Sequence, residues 1–331
     1  MSRKEKKSGL KIFGITVLVL VILLVAIVGV TFAFIHSKLS KIQQIDLNED
    51  ELSVSTQVEE NLSEYRNIAI FGVDSRNDSY DKGNRSDCII IASINNKTKE
   101  VKLISVYRDT YVQIEGHGLD KITHAYSYGE APLAIKTLNT NLDLNIKEFV
   151  TVNFDTVKEV VDGVGGIRMP ITKEEVNHIP GINKAGTYTL TGEQALAYSR
   201  IRYASGGDYK RTERMRDVLT ATANKVKTLN VSQLNKFVDQ ILPKVYTNIT
   251  ASDIFALMPS ITSYKITDST GWPYETKGKT MDRWYGIPIT LESNVIQLHK
   301  EAFGEPNYIP SDTVKEISSK IIQKTGYSKW F

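Results

Sequence analysis

Residues 12–35 (IFGITVLVLVILLVAIVGVTFAFI) run without a single charge. As a helix rising 1.5 Å per residue, that run spans roughly 36 Å, enough for a bilayer hydrocarbon core of about 30 Å. A secretory signal would carry a shorter apolar region of ~7–15 residues and a small-residue cleavage site. Here Phe32, Phe34 and Ile35 close the run instead, which reads as an uncleaved single-pass anchor. Arg3, Lys4, Lys6, Lys7 and Lys11 precede it against one acid, Glu5, and only Lys38 and Lys41 follow closely. That imbalance puts 1–11 in the cytoplasm as a basic tail and the chain beyond the helix outside the cell membrane. Nucleic acid is therefore not an expected partner.

The whole chain of 331 residues carries +3, and its basic tail accounts for all of that excess. An anion site in the exported part must come from local clustering, not from bulk charge. One cysteine, Cys88, rules out an intramolecular disulfide framework and a multi-cysteine zinc site.

Residues 36–65 are polar, rich in Glu, Gln, Ser and Asn, and read as a stalk. The globular domain is expected over 66–331. Apolar runs at 67–73, 87–94 and 100–107 predict strands, with Asn95, Asn96 and Lys97 suiting a hairpin turn between the last two. Helical spacing over 131–142 is followed by a strand at 148–153 and a helix over 155–164, stopped by Gly165 and Gly166. Thr191 with Gln194 forms a capping box that starts a helix toward Tyr198. Further helices are predicted over 209–229, 231–242, 251–262, 291–303 and 313–324. Strands alternating with helices predict an α/β fold, a mixed central β-sheet with helices on both faces.

Open α/β sheets bind ligands at strand ends, and four segments here combine Arg with Asp, three at strand ends and one downstream that can close over them. They are Asp74-Ser75-Arg76, Arg85-Ser86-Asp87, Arg108-Asp109, and the arginine-rich stretch holding Arg200, Arg202, Asp208, Arg211, Arg214 and Arg216. Arginine presents a fixed fork of donors matched to phosphate oxygens. Several arginines aimed at one point need an anion between them. Asp74 and Asp87 could hold Mg²⁺, which takes one or two carboxylates plus phosphate oxygens and water. Arginines, carboxylates and Mg²⁺ together are the inventory for moving a phosphoryl group. Arg211, Arg214 and Met215 fall on one helix face at i, i+3 and i+4.

Taken singly, these residues have plainer readings. Arg76 or Arg216 alone is a solvated surface ion pair, Asp74 a turn residue, Asp87 a cap, and 200–216 a basic helix face. Gly165 and Gly166 are a helix cap, since no G-x-x-x-x-G-K-S/T surrounds them. The five histidines show no zinc spacing, Cys88 fills a strand core, and no G-x-S-x-G elbow exists.

The motif order FGVDSR at 71–76, RSD at 85–87, SVYRDT at 105–110, KITHAYSYG at 121–129, NFDTVKEVVDGVGGI at 153–167 and GEQALAYSRIRY with GDYKRTERMR at 192–216 resembles the LytR-CpsA-Psr family. The resemblance implies a Mg²⁺-dependent phosphotransferase. It would move an anionic glycopolymer, teichoic acid or capsular polysaccharide, from an undecaprenyl-pyrophosphate carrier to the C6 hydroxyl of N-acetylmuramic acid in peptidoglycan. By position it assigns Asp74 and Asp87 to the metal and catalytic region. It gives the pyrophosphate to Arg85, Arg108, Arg200, Arg202 and Arg211, and makes Asp208 an orienting acid. Met215 stands where many relatives have Gln, and Tyr107 where many have Pro. A polyprenyl tail needs an apolar cleft, which the helices at 131–142 and 155–164 would wall with Leu133, Ile135, Leu138, Val157, Val160 and Val161. Two other readings use the same arginines: a lipid-pyrophosphate hydrolase, and a non-catalytic exported envelope regulator or binding protein.

The anchor orientation is directly testable. A reporter fused after Phe331 is expected to be active only outside the cytoplasm, and cytoplasmic activity would refute it.

Overall fold

The computed structural model describes residues 43–75, 80–202, 207–250, 253 and 258–328. The predicted anchor at 12–35 and Arg76 lie outside them. Among the described residues, no helix is long and apolar enough to cross a membrane.

The chain opens with a short strand β1 (Gln43–Gln44) and helix α1 (Thr56–Asn61), then three strands, β2 (Tyr65–Val73), β3 (Ser86–Asn95) and β4 (Glu100–Val106). A hairpin of β5 (Tyr111–Ile114) and β6 (Gly118–Lys121) leads into α2 (Ile122–Leu142). Strand β7 (Glu148–Asn153) and α3 (Phe154–Gly163) precede the hairpin β8 (Ile167–Ile171) and β9 (Gly186–Leu190). Helices α4 (Gly192–Ser199), α5 (Gly207–Val226) and α6 (Val231–Ile241) follow. Strands β10 (Tyr246–Thr247), β11 (Lys265–Trp272), β12 (Thr276–Thr280) and β13 (Trp284–Pro288) lead to α7 (Leu291–Phe303) and α8 (Asp312–Thr325).

Among the described residues, seven strands form the central sheet in the order β1-β10-β7-β2-β3-β4-β11. The pairs β2–β3 and β3–β4 are antiparallel, whereas β2–β7 and β4–β11 are parallel, so the sheet is mixed as expected. Strand alternation sends neighbouring side chains to opposite faces. Phe71, Ile89, Ile91 and Ile104 join α2, α7 and α8 in one core. On the other face Ile70, Ile90 and Leu103 meet Leu219 of α5. A second group, with Val161, Ala195, Tyr198 and Val218, knits α3, α4 and α5 to the β8–β9 hairpin.

Several predicted elements differ in extent. Helix α2 begins nine residues before the expected 131, at Ile122, and is kinked where Glu130 takes φ 57°. It resumes with Pro132 in its next turn, where a missing N–H costs nothing. Half of the helix predicted at 251–262 falls outside the described residues, and Met258–Ser263 is a 3₁₀ turn. The capping box at Thr191 is present with both of its hydrogen bonds.

The stalk expected at 36–65 needs correction over its described part. Leu52, Val58 and Leu62 are buried in the main core, and β1 pairs with β10, so the domain begins by residue 43. The reason is dilution: three apolar side chains among many polar ones leave no local run, and only their partners show them to be core. Leu62→Ala should cost about 2–5 kcal/mol in urea unfolding. A loss under about 0.5 kcal/mol, as on a surface, would return this segment to the stalk.

Candidate active site

The site is built at the end of β2, where the sheet makes a bulge. Gly72 pairs with Cys88 but Val73 pairs with Ser86, leaving Asp87 as the extra residue. The Asp87 carboxylate, released from regular alternation, accepts a hydrogen bond from Arg108 Nη1 at 2.8 Å. The start of α2 pins both partners: Thr123 N donates to Arg108 O, and Thr123 Oγ1 donates to Ser86 O. Asp109 sits 3.5 Å from Arg108 Nε and 2.7 Å from Lys121 Nζ, continuing the charged row. Asp74 and Arg85, flanking the same bulge, are exposed.

Parallel pairing of β2 with β7 brings Asn153 beside Val73. The Asn153 side chain caps α3, and Phe154 begins it. Arg200, at the C-terminal cap of α4, lays its guanidinium 4.6 Å from the Phe154 ring centroid. Cation–π contact thus carries Arg200 to the same sheet edge. Arg202 follows, exposed. Arg211, in the first turns of α5, is 2% exposed and lies near Cys88. Removal from water pushes the Cys88 thiol up to about 12, and the Arg211 charge partly opposes this. Tyr107 meets Tyr209 edge-on at 4.6 Å, holding the start of α5 against the end of β4.

Behind this edge, between the sheet and α3, α4 and α5, lies a cavity of about 240 Å³. Its walls are apolar apart from Ser199 and Thr222, and include Ile70, Val150, Val157, Val160 and Met215. Gly72 is required in its floor, because a Cβ there would sit 2.8 Å from the Cys88 Cβ. At one end the lining residues Cys88, Phe154 and Met215 adjoin Asp87, Arg200 and Arg211. The cavity therefore borders these charged residues.

Of the six apolar residues expected to wall one cleft, Val157 and Val160 do. Val161 is buried with the β8–β9 hairpin, and Leu133, Ile135 and Leu138 pack on the opposite face of the sheet. They cannot wall a cleft with the first two, because the sheet stands between. The side chain of Asp208, the second residue of α5, lies outside the described residues. Arg214, in the same helix as Arg211 and Met215, has a structural partner. Its Nε donates to buried Glu175 at 2.8 Å and its Nη1 to Ile201 O, a structural pair. Arg216, expected in solvent, is 6% exposed and donates to Ser269. The sequence reading missed Phe154, whose signal was an aromatic residue directly after a strand-ending Asn cap.

Among the described residues no three His, Cys, Asp or Glu side chains gather as a metal cage. Asp74 and Asp87 still fit Mg²⁺, since that ion uses one or two carboxylates and completes its octahedron from phosphate and water. Arg108 Nη1 donates to one carboxylate oxygen of Asp87.

A family model described as the LytR_cpsA_psr family matches residues 30–289. The chain belongs to this family. The Bacillus subtilis polyisoprenyl-teichoic acid–peptidoglycan teichoic acid transferase TagT is 34% identical over 296 residues, covering 83% of this chain and 91% of TagT. The Enterococcus faecalis transferase TagU is 35% identical over 256 residues, 75% of this chain and 82% of TagU. A solved family structure, YwtF (TagT) with bound octaprenyl pyrophosphate lipid, matches with TM-score 0.54 at 25% identity, covering 80% of this chain and 92% of that one. These two relatives of the chain are thus named as teichoic acid transferases, and the TagT structure shares its mixed α/β fold.

The Arg214–Glu175 pair supports the arginine segment and has a pH signature. Burial would raise the Glu175 carboxyl, but hydrogen bonds from Thr172 and Arg214 outweigh it and hold the group below its ordinary value. A depressed folded pKa lends stability that is complete above the unfolded value, about 4.3 for Glu, and is lost as pH falls through the folded one. Glu175→Gln should cost about 3–5 kcal/mol near neutrality by stranding buried Arg214. In urea unfolding the gap between parent and variant should shrink toward pH 3. A gap independent of pH would refute the assignment.

Proposed function

We propose that this chain is a phosphotransferase that attaches a polyprenyl-pyrophosphate-linked anionic glycopolymer, teichoic acid or capsular polysaccharide, to peptidoglycan through a phosphodiester to N-acetylmuramic acid. The observation that carries the reading is an apolar cavity bordering arginines and an aspartate: Cys88, Phe154 and Met215 line it beside Asp87, Arg200 and Arg211. A ligand suited to both parts has a hydrocarbon chain joined to a multiply charged anion. Octaprenyl pyrophosphate, bound by TagT, is such a molecule.

In this reading residues 12–35 anchor the chain by a single pass, with 1–11 in the cytoplasm and the domain outside, where carrier and wall meet. The tail lies along Val150, Val157, Val160 and Met215. Arg85, Arg108, Arg200, Arg202 and Arg211 grip the pyrophosphate oxygens and offset the charge that develops on them. Mg²⁺ held by Asp74 and Asp87 would neutralise further phosphate charge. Asp208 orients the arginine segment. The acceptor hydroxyl forms a new O–P bond at the polymer-side phosphorus. The bond to the bridging oxygen breaks, and polyprenyl phosphate leaves. The hydroxyl proton passes to one of the two carboxylates; Asp87 already accepts from Arg108, while Asp74 is exposed. Met215, in place of a Gln amide, extends the apolar wall toward the head group.

The test uses the full-length chain, a short synthetic polyprenyl-pyrophosphate polymer, Mg²⁺ and a peptidoglycan oligomer. Arg200→Ala and Arg211→Ala should each lose about one to two decades of transfer rate. If both transfer at the parent rate, the site is wrong. Polymer released to water with no product on the oligomer would make the chain a hydrolase, and absence of turnover a binding protein.

A further inference from the structure

On the opposite side of the arginine edge from the lipid cavity lies a second concavity, between the β5–β6 and β12–β13 hairpins. We propose that it is the subsite for the acceptor glycan, the sugar chain of peptidoglycan, an inference that rests on the transferase reading above.

The groove encloses about 440 Å³, within the usual range of about 300–1,000 Å³ for ligand sites. His117, Asp120, Asp282, Arg283, Tyr285 and Lys324 line it. Each wall carries a tyrosine hydroxyl on a carboxylate. Tyr285 donates to Asp282 at 2.9 Å, and Tyr128, beside the groove, donates to Asp120 at 2.8 Å. The ring faces are fixed as well. His117 stacks on Tyr128 at 3.9 Å and 8°, and Tyr111 meets Tyr285 edge-on at 4.8 Å. Tyr111 and Tyr285 are buried beneath the groove, whereas the exposed His117–Tyr128 stack offers a ring face beside the oriented carboxylates, which suits a pyranose with its C–H faces and rim of hydroxyl donors. Exposed Arg283, whose Nε also meets Asp282 at 3.2 Å, and neighbouring Lys324 add positive charge for the carboxylates of the stem peptide, which a neutral polysaccharide lacks.

Position favours the acceptor over the donor sugar. The groove reaches the arginine edge through three contacts: the Lys121 ammonium lies 5.6 Å from the Tyr285 ring, 2.7 Å from Asp109, and Asp109 lies 3.5 Å from Arg108. Tyr111 and Tyr285 belong to the core on the α2 face of the sheet, while the cavity for the tail lies on the α5 face. Two substrates that meet at one phosphorus must approach from different sides, and these are the two sides available.

The experiment compares the full-length parent with His117→Ala and Arg283→Ala, both exposed positions, after matching their thermal melts. A disaccharide–peptide oligomer of peptidoglycan is titrated by calorimetry, with octaprenyl pyrophosphate titrated separately. Each variant should bind the oligomer about tenfold or more weakly, with lipid binding unchanged. In turnover the acceptor KM should rise by the same factor while the donor KM stays put. An oligomer that the parent does not bind, or that both variants bind like the parent, overturns the proposal. So does a loss confined to the donor. A parent that binds the oligomer but transfers nothing would instead fail the transferase reading and leave the groove a glycan site.

Discussion

The hydrogen-bonded ion pair between Asp87 and Arg108 is the contact on which the site depends. Its side chains are only 16% and 20% exposed, so it forms in a partly desolvated setting where charge–charge attraction is stronger than in water. The bulge opposite Gly72 makes it possible. Regular alternation assigns Ile89 and Ile91 to the α2 face and Cys88 and Ile90 to the cavity. One extra residue lets Asp87 leave that pattern at the strand end, and the first turn of α2 holds its partner's loop in place.

From that edge the molecule divides into two chemistries. The α5 face offers an apolar wall under an arginine rim, and the α2 face offers aromatic rings with carboxylates. Elements brought together by tertiary structure keep the rim positive. Arg200 rests on Phe154, Arg211 is enclosed at the start of α5, and the Glu175–Arg214 pair ties down the chain just after Arg200. Glu175 neutralises Arg214, so that arginine braces the segment and does not compete for an anion.

Local patterning made much of this legible. Strand β7 falls on the predicted 148–153, and the α4 capping box and the α7 span also match, because each depends on residues within a few positions of each other. The Arg and Asp sets at strand ends were visible because short charged segments interrupt strongly apolar runs. The β5–β6 and β12–β13 hairpins were not, since they contain Gly, Lys, Asp and Thr without strict alternation; β13 packs on β5, and β5 and β6 pack on α2.

By itself the sequence determined which residues carry charge, where the strongly apolar strands and capped helices form, and that the order of motifs is that of the LytR_cpsA_psr family. Tertiary structure alone decided the environment of each side chain. Ile135 and Val160 read alike as helical apolar positions, yet one is core and the other lines the cavity. Arg211 and Arg214 read alike on one helix, and one lies near Cys88 while the other is neutralised by Glu175. A period of 3.6 or 2 states that a side chain is turned inward; which face of the sheet its element docks against depends on contacts tens of residues away.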